Sequence, residues 1–230
     1  LPALDASRLL DGAPLVGERV GPWRVLREIG RGGMGQVWEA EQTSMGRKVA
    51  LKLLHPHVQL SDDGVMRFER EAKRTAALTH PNTVTVYDYG RTDDGVFYYA
   101  MELLDGATLE EVVEIDGPQP PARVVRVLEQ VAGALGEAHT IGLIHRDVKP
   151  ANIVLARQGG ENDVAKVVDF GLVKEIERRV GATVSREGTI SGTPLYMAPE
   201  ILTEPDAGSP RSDLYALGAV GYYMLTGQHV

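Results

Sequence analysis

The sequence predicts an α+β fold of two lobes, a small antiparallel β lobe that carries one helix and a larger, mainly helical lobe. Residues 23–54 contain short stretches rich in Val, Ile, Leu and Trp that are separated by turn residues, which is typical of hairpin-connected strands. Residues 61–80 change to a helical period. Beyond Asp105 helical periods dominate, so strands and helices are segregated along the chain.

The first lobe is expected at residues 21–104. Within it "WRVLREI", "QVWEAEQ" and "KVALKLL" predict three strands, the helical stretch follows, and "TVTVYDY" and "VFYYAMELL" predict two more strands. In the helical stretch Val65, Phe68 and Ala72 can share a face, and two aspartates favour its N-terminal end. Residues 1–20 show no sustained period, and we expect an N-terminal extension or linker there.

The second lobe is expected at residues 105–230. The stretch "PPARVVRVLEQVAGALGEAH" places Val124, Val127 and Val131 on one stripe, with prolines at its start, and predicts a long amphipathic helix. The final stretch, "PRSDLYALGAVGYYMLTG", is apolar nearly all round, as in a helix buried in a core. We expect this lobe to be truncated at its C-terminus.

Composition and charge exclude several classes of protein. With 230 residues, 43% of them hydrophobic, the chain can bury an ordinary core. The formal net charge of -8 argues against nucleic acid as a partner, and the lack of cysteine excludes disulfides and thiolate metal sites. The longest uncharged stretch, residues 214–230, is shorter than the roughly 20 apolar residues that span a bilayer. We expect no membrane span within these residues and a cytoplasmic location, either as a free protein or as the cytoplasmic domain of a longer membrane-anchored protein.

Four glycines in "IGRGGMG", Gly30, Gly32, Gly33 and Gly35, have the spacing of a phosphate-binding loop. This spacing occurs in dinucleotide-binding folds, in hairpin loops over nucleoside triphosphates, and by chance in flexible loops. The dinucleotide alternative needs a helix directly after the glycines, but the residues that follow predict a strand. We therefore favour the hairpin, in which backbone N–H groups without side chains around them can approach phosphate oxygens.

A lysine on the next predicted strand fits this interpretation. Lys52 in "VALK" would supply positive charge to the α- and β-phosphates of a nucleotide. Such a lysine needs a carboxylate to fix it, and the helix offers Glu69 and Glu71; we favour Glu71, which lies nearer the apolar face. The alternative is that Lys52 is a surface lysine and both glutamates are solvated.

Two downstream stretches combine residue types that phosphoryl transfer can use. In "LIHRDVKPANIVL" an aspartate, Asp147, could accept or orient a hydroxyl proton, and the amide oxygen of Asn152 could ligate magnesium. In "AKVVDFGLV" an apolar strand ends at Asp169, whose carboxylate could hold a metal ion, since magnesium prefers oxygen ligands. The alternative for Asp169 is an ordinary turn-forming aspartate before a glycine.

Six motifs follow one another in a fixed order: "GRGGMGQV", "VALK", a helix with glutamates, "HRDVKPAN", "DFG" and "GTPLYMAPE". In this order they resemble the eukaryotic-like (Hanks-type) serine/threonine protein kinases, and "YMAPE" with the stretch from Arg67 to Gly90 is most similar to their bacterial members. The resemblance covers about Val20 to Val230. It implies the two-lobed protein-kinase-like fold and ATP with Mg²⁺ or Mn²⁺ as cofactors.

The resemblance also implies a nucleotide site. Lys52 would pair with Glu71 and touch the α- and β-phosphates. Other residues would surround the nucleotide, with Met101 as the gatekeeper of the adenine pocket. The complete set of implied ATP contacts is Ile29, Gly30, Gly32, Gly33, Gly35, Val37, Ala50, Lys52, Met101, Glu102, Leu104, Asp105 and Leu155.

The chemistry would fall to polar residues of the second lobe. By resemblance, Asp147 would be the catalytic base and Lys149 would contact the γ-phosphate, as in serine/threonine kinases. Asn152 and Asp169 would hold the metal ion. His145 has a near-neutral pKa in its ordinary state and so suits proton transfer, but the resemblance implies a structural role for it.

Regulation is implied by Arg146, which directly precedes the base. In this family an arginine there marks control by activation-loop phosphorylation, because a phosphate pairs with it and orders the loop. Thr189 lies four residues before Thr193 and is our preferred site, while Thr193 supports serine/threonine specificity. Other hydroxyls in the loop, which we expect to be ordinary loop residues, are Thr183, Ser185 and Ser191.

The predicted function is therefore that of a non-specific serine/threonine protein kinase with protein substrates, regulated by autophosphorylation, for which a homodimer is one suitable arrangement. Two alternatives stay open. One is a pseudokinase or scaffold that binds nucleotide without turnover, and the other is a kinase of small molecules. The "GTPLYMAPE" segment ranks the small-molecule alternative last, because such enzymes generally lack it.

Overall fold

The computed structural model describes residues 15–32, 35–54, 62–170, 194–204 and 207–230. The described chain forms two compact units. The first contains the residues up to Ala72 and Thr85–Leu103, and the second contains Lys73–Val84 and Leu104–Val230. Antiparallel sheets occur in both units together with helices, so the predicted α+β class is confirmed.

The first unit is built on a six-stranded antiparallel sheet with the order β1-β2-β3-β4-β6-β5. Its strands are β1 (Arg19–Val20), β2 (Trp23–Gly32), β3 (Gly35–Gln42), β4 (Lys48–Leu54), β5 (Val86–Arg91) and β6 (Phe97–Glu102). Apolar side chains from these strands form one buried cluster. Leu15 and Val20, which lie in the range predicted as an extension, are buried in that cluster.

Side chains of β2 and β5, which lie near opposite ends of the strand order, contact each other. The indole N–H of Trp23 donates to Asp88 Oδ2 at 3.2 Å, and the Tyr98 hydroxyl donates to the same oxygen at 3.4 Å. A Cβ at Gly90 would come within 2.8 Å of the Tyr98 oxygen, so only glycine leaves room for that ring. Burial, together with the Asp88 carboxylate, raises the pKa of Tyr98 and keeps its proton in place.

The predicted helix after β4 is present as α1 (Asp62–Ala76). Ala72 and Thr75 are buried, whereas Glu69 and Arg70 are exposed, as its amphipathic pattern predicts. The next predicted strand, "TVTVYDY", starts later than expected, at Val86. The reason is that Thr83 and Val84 pair instead with Val167 in the second unit.

The second unit contains four α-helices in its described part. They are α2 (Leu109–Asp116), α3 (Pro121–Thr140), α4 (Pro199–Thr203) and α5 (Pro210–Thr226). Helix α3 buries the predicted valine stripe in the core of this unit, and α5 packs beside it. Among the described residues α5 is buried on one side only, since Leu214, Tyr215 and Tyr222 are exposed. None of the described helices has the length and apolar character that a bilayer crossing needs.

A second sheet, of three antiparallel strands, consists of β7 (Gly106–Thr108), β8 (Ile153–Gln158) and β9 (Glu161–Val167). The sequence predicted only the last of these, as an apolar strand before Asp169. The side chain of Gln130 on α3 lies along β9: its Oε1 accepts from the Ala165 N–H, and its Nε2 donates to the Asp163 carbonyl, both at 3.0 Å.

Candidate functional site

The glycine-rich stretch forms the end of the β2–β3 hairpin. Gly30 lies opposite Val37 and Gly32 opposite Gly35 in the strand register. A strand follows the glycines, as the hairpin interpretation requires. Ile29 is partly exposed at this end of β2. The stretch therefore has the local structure that a phosphate-binding hairpin needs, with Gly33 outside the described residues.

Two of these glycines differ in their surroundings. A Cβ at Gly35 would lie 2.0 Å from the Leu53 carbonyl oxygen on the neighbouring strand, so a side chain there collides with the backbone. No described atom lies within 4 Å of a Cβ built on Gly32. Gly35 thus has a packing reason to be glycine, whereas no described neighbour requires glycine at position 32.

Lys52 is on β4, opposite Val37 and Tyr99, and only 6% of its surface is exposed. A lysine is almost never this buried unless its ammonium group has partners. The alternative of a surface lysine is therefore excluded, and contact of Lys52 with a nucleotide stays a prediction. Ala50, two residues earlier on the same strand, lies opposite Met101 on β6 and is buried.

Glu69 and Glu71 are distinguished by their exposure. Glu69 is exposed, whereas the side chain of Glu71 is 19% exposed and lies 3.7 Å from Arg70 Nε. This position on α1 agrees with the preference for Glu71, and its pairing with Lys52 stays a prediction. Glu102, at the end of β6, exchanges hydrogen bonds with Thr85, whose N–H donates to Glu102 Oε1 at 2.9 Å.

In the second unit, three predicted residues meet at one oxygen atom. Asp147 Oδ2 lies 3.0 Å from Lys149 Nζ and accepts a hydrogen bond from Asn152 Nδ2 at 3.1 Å. These three residues lie within one irregular segment that ends in the short 3₁₀ turn Pro150–Asn152. The structure thus brings the predicted base, the predicted phosphate-binding lysine and a predicted metal ligand together.

Two hydrogen bonds donated by the side-chain amide of Asn152 fix the orientation of that amide. Its Nδ2 donates to the Asp147 carbonyl oxygen at 2.8 Å as well as to the Asp147 carboxylate. The amide oxygen is therefore the atom left to ligate a cation. The backbone carbonyl of Asn152 accepts a hydrogen bond from the Val168 N–H at 3.0 Å. Asn152 therefore lies beside the residue that precedes Asp169. An amide oxygen and a carboxylate are ligands that Mg²⁺ prefers.

Arg146 and Asp169 both adopt left-handed backbone conformations, with φ of 65° and 59°. Residues other than glycine take up this region at a cost, so it is found mainly where the surrounding structure requires it. Phe170 follows Asp169 and is buried in the core of the second unit. The strained turn thus places consecutive residues in different environments, with Asp169 half-buried and Phe170 in the core.

His145 is fully buried, and its contacts are those of a structural residue. Its Nε2 donates to the Val168 carbonyl at 3.0 Å, its Nδ1 accepts from the Asp147 N–H at 3.2 Å, and its ring lies 4.7 Å from that of Phe170. A second proton on the ring would lie on Nδ1 and point at the Asp147 N–H, which is itself a donor. Burial lowers the pKa of His145, and the nearby carboxylates of Asp213 and Asp147 only partly offset this effect.

The lowered pKa of His145 predicts a pH dependence of stability. The unfolded chain gains a proton on this histidine as the pH falls through about 6.5, while the folded chain does not. The stabilising contribution is therefore complete above that pH and declines below it. We expect urea unfolding at pH 7.5 and pH 5.5 to show a larger loss of unfolding free energy in the wild type than in His145→Gln. An equal loss in both proteins would contradict this assignment.

Asp213 contacts the candidate site, and the sequence reasoning missed this. Its side chain is 1% exposed in α5. Oδ2 accepts from the His145 N–H at 2.9 Å and is 2.8 Å from His139 Nε2, while Oδ1 accepts from the Arg146 N–H at 2.9 Å. One carboxylate therefore holds the backbone of the segment that carries Asp147. The available signal was a single acidic residue in a helix that is largely apolar from Leu214 onward.

The remaining predicted nucleotide contacts of the second unit lie on or beside its small sheet. Leu155 on β8 is buried. Asp105 is exposed, and its carboxylate is 2.8 Å from Arg157, whose N–H also donates to the Asp105 carbonyl. Leu104 is half-buried. Their contact with a nucleotide stays a prediction.

The predicted regulatory residues fall partly outside the structure. Arg146 is exposed, and its side chain lies beside Gly208. The preferred phosphorylation site, Thr189, and Thr193 lie outside the described residues, as do Thr183, Ser185 and Ser191. In the described part of the chain, no group of three or more His, Asp or Glu residues could hold a metal ion.

Comparison with known proteins gives consistent matches. The Protein kinase domain family matches residues 23–230. The chain is 43% identical over 207 residues to the serine/threonine-protein kinase pkn3 of Myxococcus xanthus, covering 89% of this chain and 38% of the relative. It is also 43% identical over 219 residues to PknD of Mycobacterium tuberculosis, covering 94% of this chain and 31% of the relative. The chain thus spans about a third of the length of these curated relatives.

A solved structure is similar as well. The PknI kinase domain of Mycobacterium tuberculosis superposes with a TM-score of 0.74 at 30% sequence identity, covering 93% of this chain and 78% of that one. These matches agree with the resemblance that the ordered motifs indicated, including its bacterial character.

Proposed function

Because the chain belongs to the protein kinase domain family, we propose that it transfers the γ-phosphate of ATP to serine or threonine hydroxyls of proteins. The observation that carries this proposal is the meeting of Asp147, Lys149 and Asn152 at one carboxylate oxygen. A base, a cation for phosphate and a metal ligand at one point are what phosphoryl transfer requires. The names of the similar proteins support serine and threonine as acceptors.

We assign the base to Asp147. Its Oδ2 would accept the proton of the incoming hydroxyl, and Lys149 would move from this oxygen to the γ-phosphate when ATP is bound. His145 is unsuitable as the base, because both of its ring nitrogens are used in hydrogen bonds and it is fully buried. General base catalysis of this kind contributes about 10²- to 10⁴-fold to the rate.

The family uses ATP with a divalent metal ion, and the residues present fit such an ion. Asn152 Oδ1 and the Asp169 carboxylate would hold Mg²⁺, or Mn²⁺ in its place, and the ion would neutralise charge on the β- and γ-phosphates. Few protein ligands are needed, since Mg²⁺ keeps several waters and phosphate oxygens.

The nucleotide contacts in the first unit complete the assignment. We propose that the buried ammonium of Lys52 is fixed by Glu71 and contacts the α- and β-phosphates, with the glycine hairpin over the phosphates. From the first unit, Ile29, Val37, Ala50 and Met101 would contribute apolar contacts to the adenine, and Glu102 a backbone contact. From the second unit, we propose that Leu155 contributes an apolar contact, Leu104 a backbone contact and Asp105 a contact to the ribose.

For regulation, we propose that autophosphorylation of Thr189 creates a phosphate that pairs with Arg146, and that two copies of the protein phosphorylate each other. The left-handed backbone of Arg146, whose N–H donates to Asp213, supports a fixed point from which this side chain extends. We place the activity in the cytoplasm, which agrees with a chain that has no cysteine.

The proposal is tested by incubating the purified protein with Mg²⁺ and ATP and mapping phosphorylated residues by mass spectrometry. We expect phosphoserine and phosphothreonine, with Thr189 prominent, and no modification without the metal. Replacing Mg²⁺ by Mn²⁺ in parallel identifies the preferred ion. Nucleotide binding without transfer would instead support a pseudokinase, and transfer to small alcohols but to no protein would contradict the substrate class.

Substitutions at Gly32 and Gly35 should separate effects on ATP use from effects on folding stability. In Gly32→Val the new Cβ has no described atom within 4 Å, so we expect the unfolding free energy to change by less than about 0.5 kcal/mol. The KM for ATP should rise about tenfold, as after the loss of one charge-assisted hydrogen bond.

The matched variant is Gly35→Ala, whose Cβ collides with the Leu53 carbonyl. We expect it to lower the unfolding free energy by about 1–3 kcal/mol, the usual cost of overpacking. Urea unfolding and ATP kinetics on both variants check the pair. Equal destabilisation of the two would contradict the described hairpin packing.

A further inference from the structure

One residue of strand β2 interrupts the regular pairing of the β2–β3 hairpin. Glu28 lies opposite Trp38 and Gly30 lies opposite Val37, so two steps along β2 correspond to one step along β3. The extra residue is Ile29, and the arrangement is a β-bulge. It lies directly before the glycines that are predicted to bind phosphate. Bulges redirect the residues around them and are frequent beside functional sites.

An ion pair spans this bulge. Arg31 Nε donates to Glu28 Oε1 at 2.8 Å, and Arg31 Nη2 donates to Glu28 Oε2 at 3.0 Å. The hydrogen bonds from Arg31 lower the pKa of Glu28, so this carboxylate is charged at neutral pH. Both side chains are partly exposed, and most exposed ion pairs contribute little. A bidentate pair between arginine and a carboxylate has the geometry that makes a contribution expected.

The ion pair depends on the bulge. In a regular strand, residues three apart point to opposite faces of the sheet and cannot meet. Here the bulge returns Glu28 and Arg31 to one face, because their partners on β3, Trp38 and Gln36, are two residues apart. These partners are joined as well, since the Trp38 indole N–H donates to Gln36 Oε1 at 3.2 Å. A shift of β2 to the regular register would therefore break the bidentate pair.

We propose that Glu28 and Arg31 are positioning residues for the nucleotide, because their ion pair holds β2 in its bulged register. In this register Gly32 lies opposite Gly35 at the end of the hairpin. The inference rests on the proposed function, in which backbone N–H groups of the glycine-rich stretch contact the phosphates of ATP. Neither Glu28 nor Arg31 is among the predicted ATP contacts, so the inference adds two charged residues to the set that nucleotide binding depends on.

The expected signature is a change in nucleotide affinity without a change in the rate of phosphate transfer. When the ion pair is lost, the end of β2 spends part of its time in other registers, and only the bulged fraction presents the glycines to phosphate. The apparent dissociation constant rises in inverse proportion to that fraction. Once ATP is bound, the bulged register is the populated one, so kcat stays nearly unchanged. A pair that contributes only to folding would change neither constant per folded molecule.

The test compares Glu28→Gln, Arg31→Gln and the double variant. Calorimetric titration with MgADP gives the Kd, steady-state phosphorylation of a peptide gives kcat and the KM for ATP, and urea unfolding gives the folded fraction. We expect each single variant to raise Kd and KM about two- to fivefold, the range that an exposed ion pair can contribute. The double variant should bind no more weakly than either single variant, because all three lack the same pair.

Arg24→Gln is the matched control. The Arg24 side chain is on the same strand, is 45% exposed against 47% for Arg31, and also forms an ion pair, with Nη2 2.6 Å from Glu41 Oε2. Arg24 and Glu41 are direct partners at the other end of the hairpin from the glycines. Loss of this pair should leave Kd and KM at the wild-type values. Salt screens exposed charges, so about 0.5 M NaCl should reduce the difference between the wild type and the Glu28 and Arg31 variants.

The outcomes are distinguishable. If Arg31→Gln weakens binding while Glu28→Gln leaves it unchanged or tightens it, Arg31 contacts the phosphates itself and the positioning role is overturned. It is also overturned if neither single variant changes Kd by more than about 1.5-fold. If the wild type binds MgADP but transfers no phosphate, the proposed function fails while the titration still decides the inference. If the wild type binds no MgADP, both fail.

Discussion

Replacing Asp147 by asparagine should lower phosphate incorporation about 10²- to 10⁴-fold, the contribution of a general base. The replacement has nearly the same shape, and its amide oxygen can keep the contacts that Asp147 Oδ2 makes with Lys149 and Asn152. What is lost is the negative charge and the ability to take a proton. The rate should therefore fall while the protein remains folded.

The measurement is incorporation of labelled phosphate from ATP, with circular dichroism to check the fold. Asp94→Asn, which changes an exposed aspartate in a turn of the first unit, is the matched control and should retain the wild-type rate. If Asp147→Asn incorporates phosphate as fast as Asp94→Asn, Asp147 is not the base. A rate that falls equally in both variants would point to a general electrostatic effect instead.

Replacing Asp213 by alanine should lower the unfolding free energy by about 3–5 kcal/mol, because buried donors on His145, Arg146 and His139 would lose their acceptor. The loss is large for one residue, since a single carboxylate serves two backbone N–H groups and a ring nitrogen. The segment that carries Asp147 would also lose its anchor, so phosphorylation should fall together with stability.

Urea unfolding checks this expectation. Asp213→Asn offers one oxygen but places an amide N–H₂ opposite a donor, so we expect an intermediate loss of unfolding free energy. Tyr222→Ala, an exposed position on the same helix α5, should change the unfolding free energy by only about 0.5 kcal/mol. A loss at Asp213 no greater than at Tyr222 would show that the carboxylate does not hold the segment.

The elements that the sequence predicted well are those whose signal lies in residues close together in the chain. Helix α3 shows its buried face as a helical period, and strands β2 to β4 are short runs rich in Val, Ile, Leu and Trp between turn residues. The same logic failed at Thr83 and Val84. Their apolar and β-branched character predicted a strand in the first sheet, but their partner is Val167, more than eighty residues away.

The candidate site divides in the same way. Asp147, Lys149 and Asn152 are near in sequence, and the motif that contains them indicated their chemistry. Asp213 could not be found by motif, because it acts on a backbone segment that is distant in the chain. Every residue type except proline has the same backbone N–H donor, so the sequence does not show which side chain will accept from it. The partner becomes apparent only in the folded structure.

Gln130 has a consequence for how the molecule behaves among other copies of itself. Strand β9 is at the edge of its sheet, and an unpaired edge is a template for strands of other chains. The carboxamide of Gln130 bonds the Asp163 carbonyl and the Ala165 N–H, the two groups that an incoming strand would use there. Together with Asn82, whose Nδ2 donates to the Ala165 carbonyl at 2.7 Å, Gln130 thus blocks one route to aggregation without adding a strand.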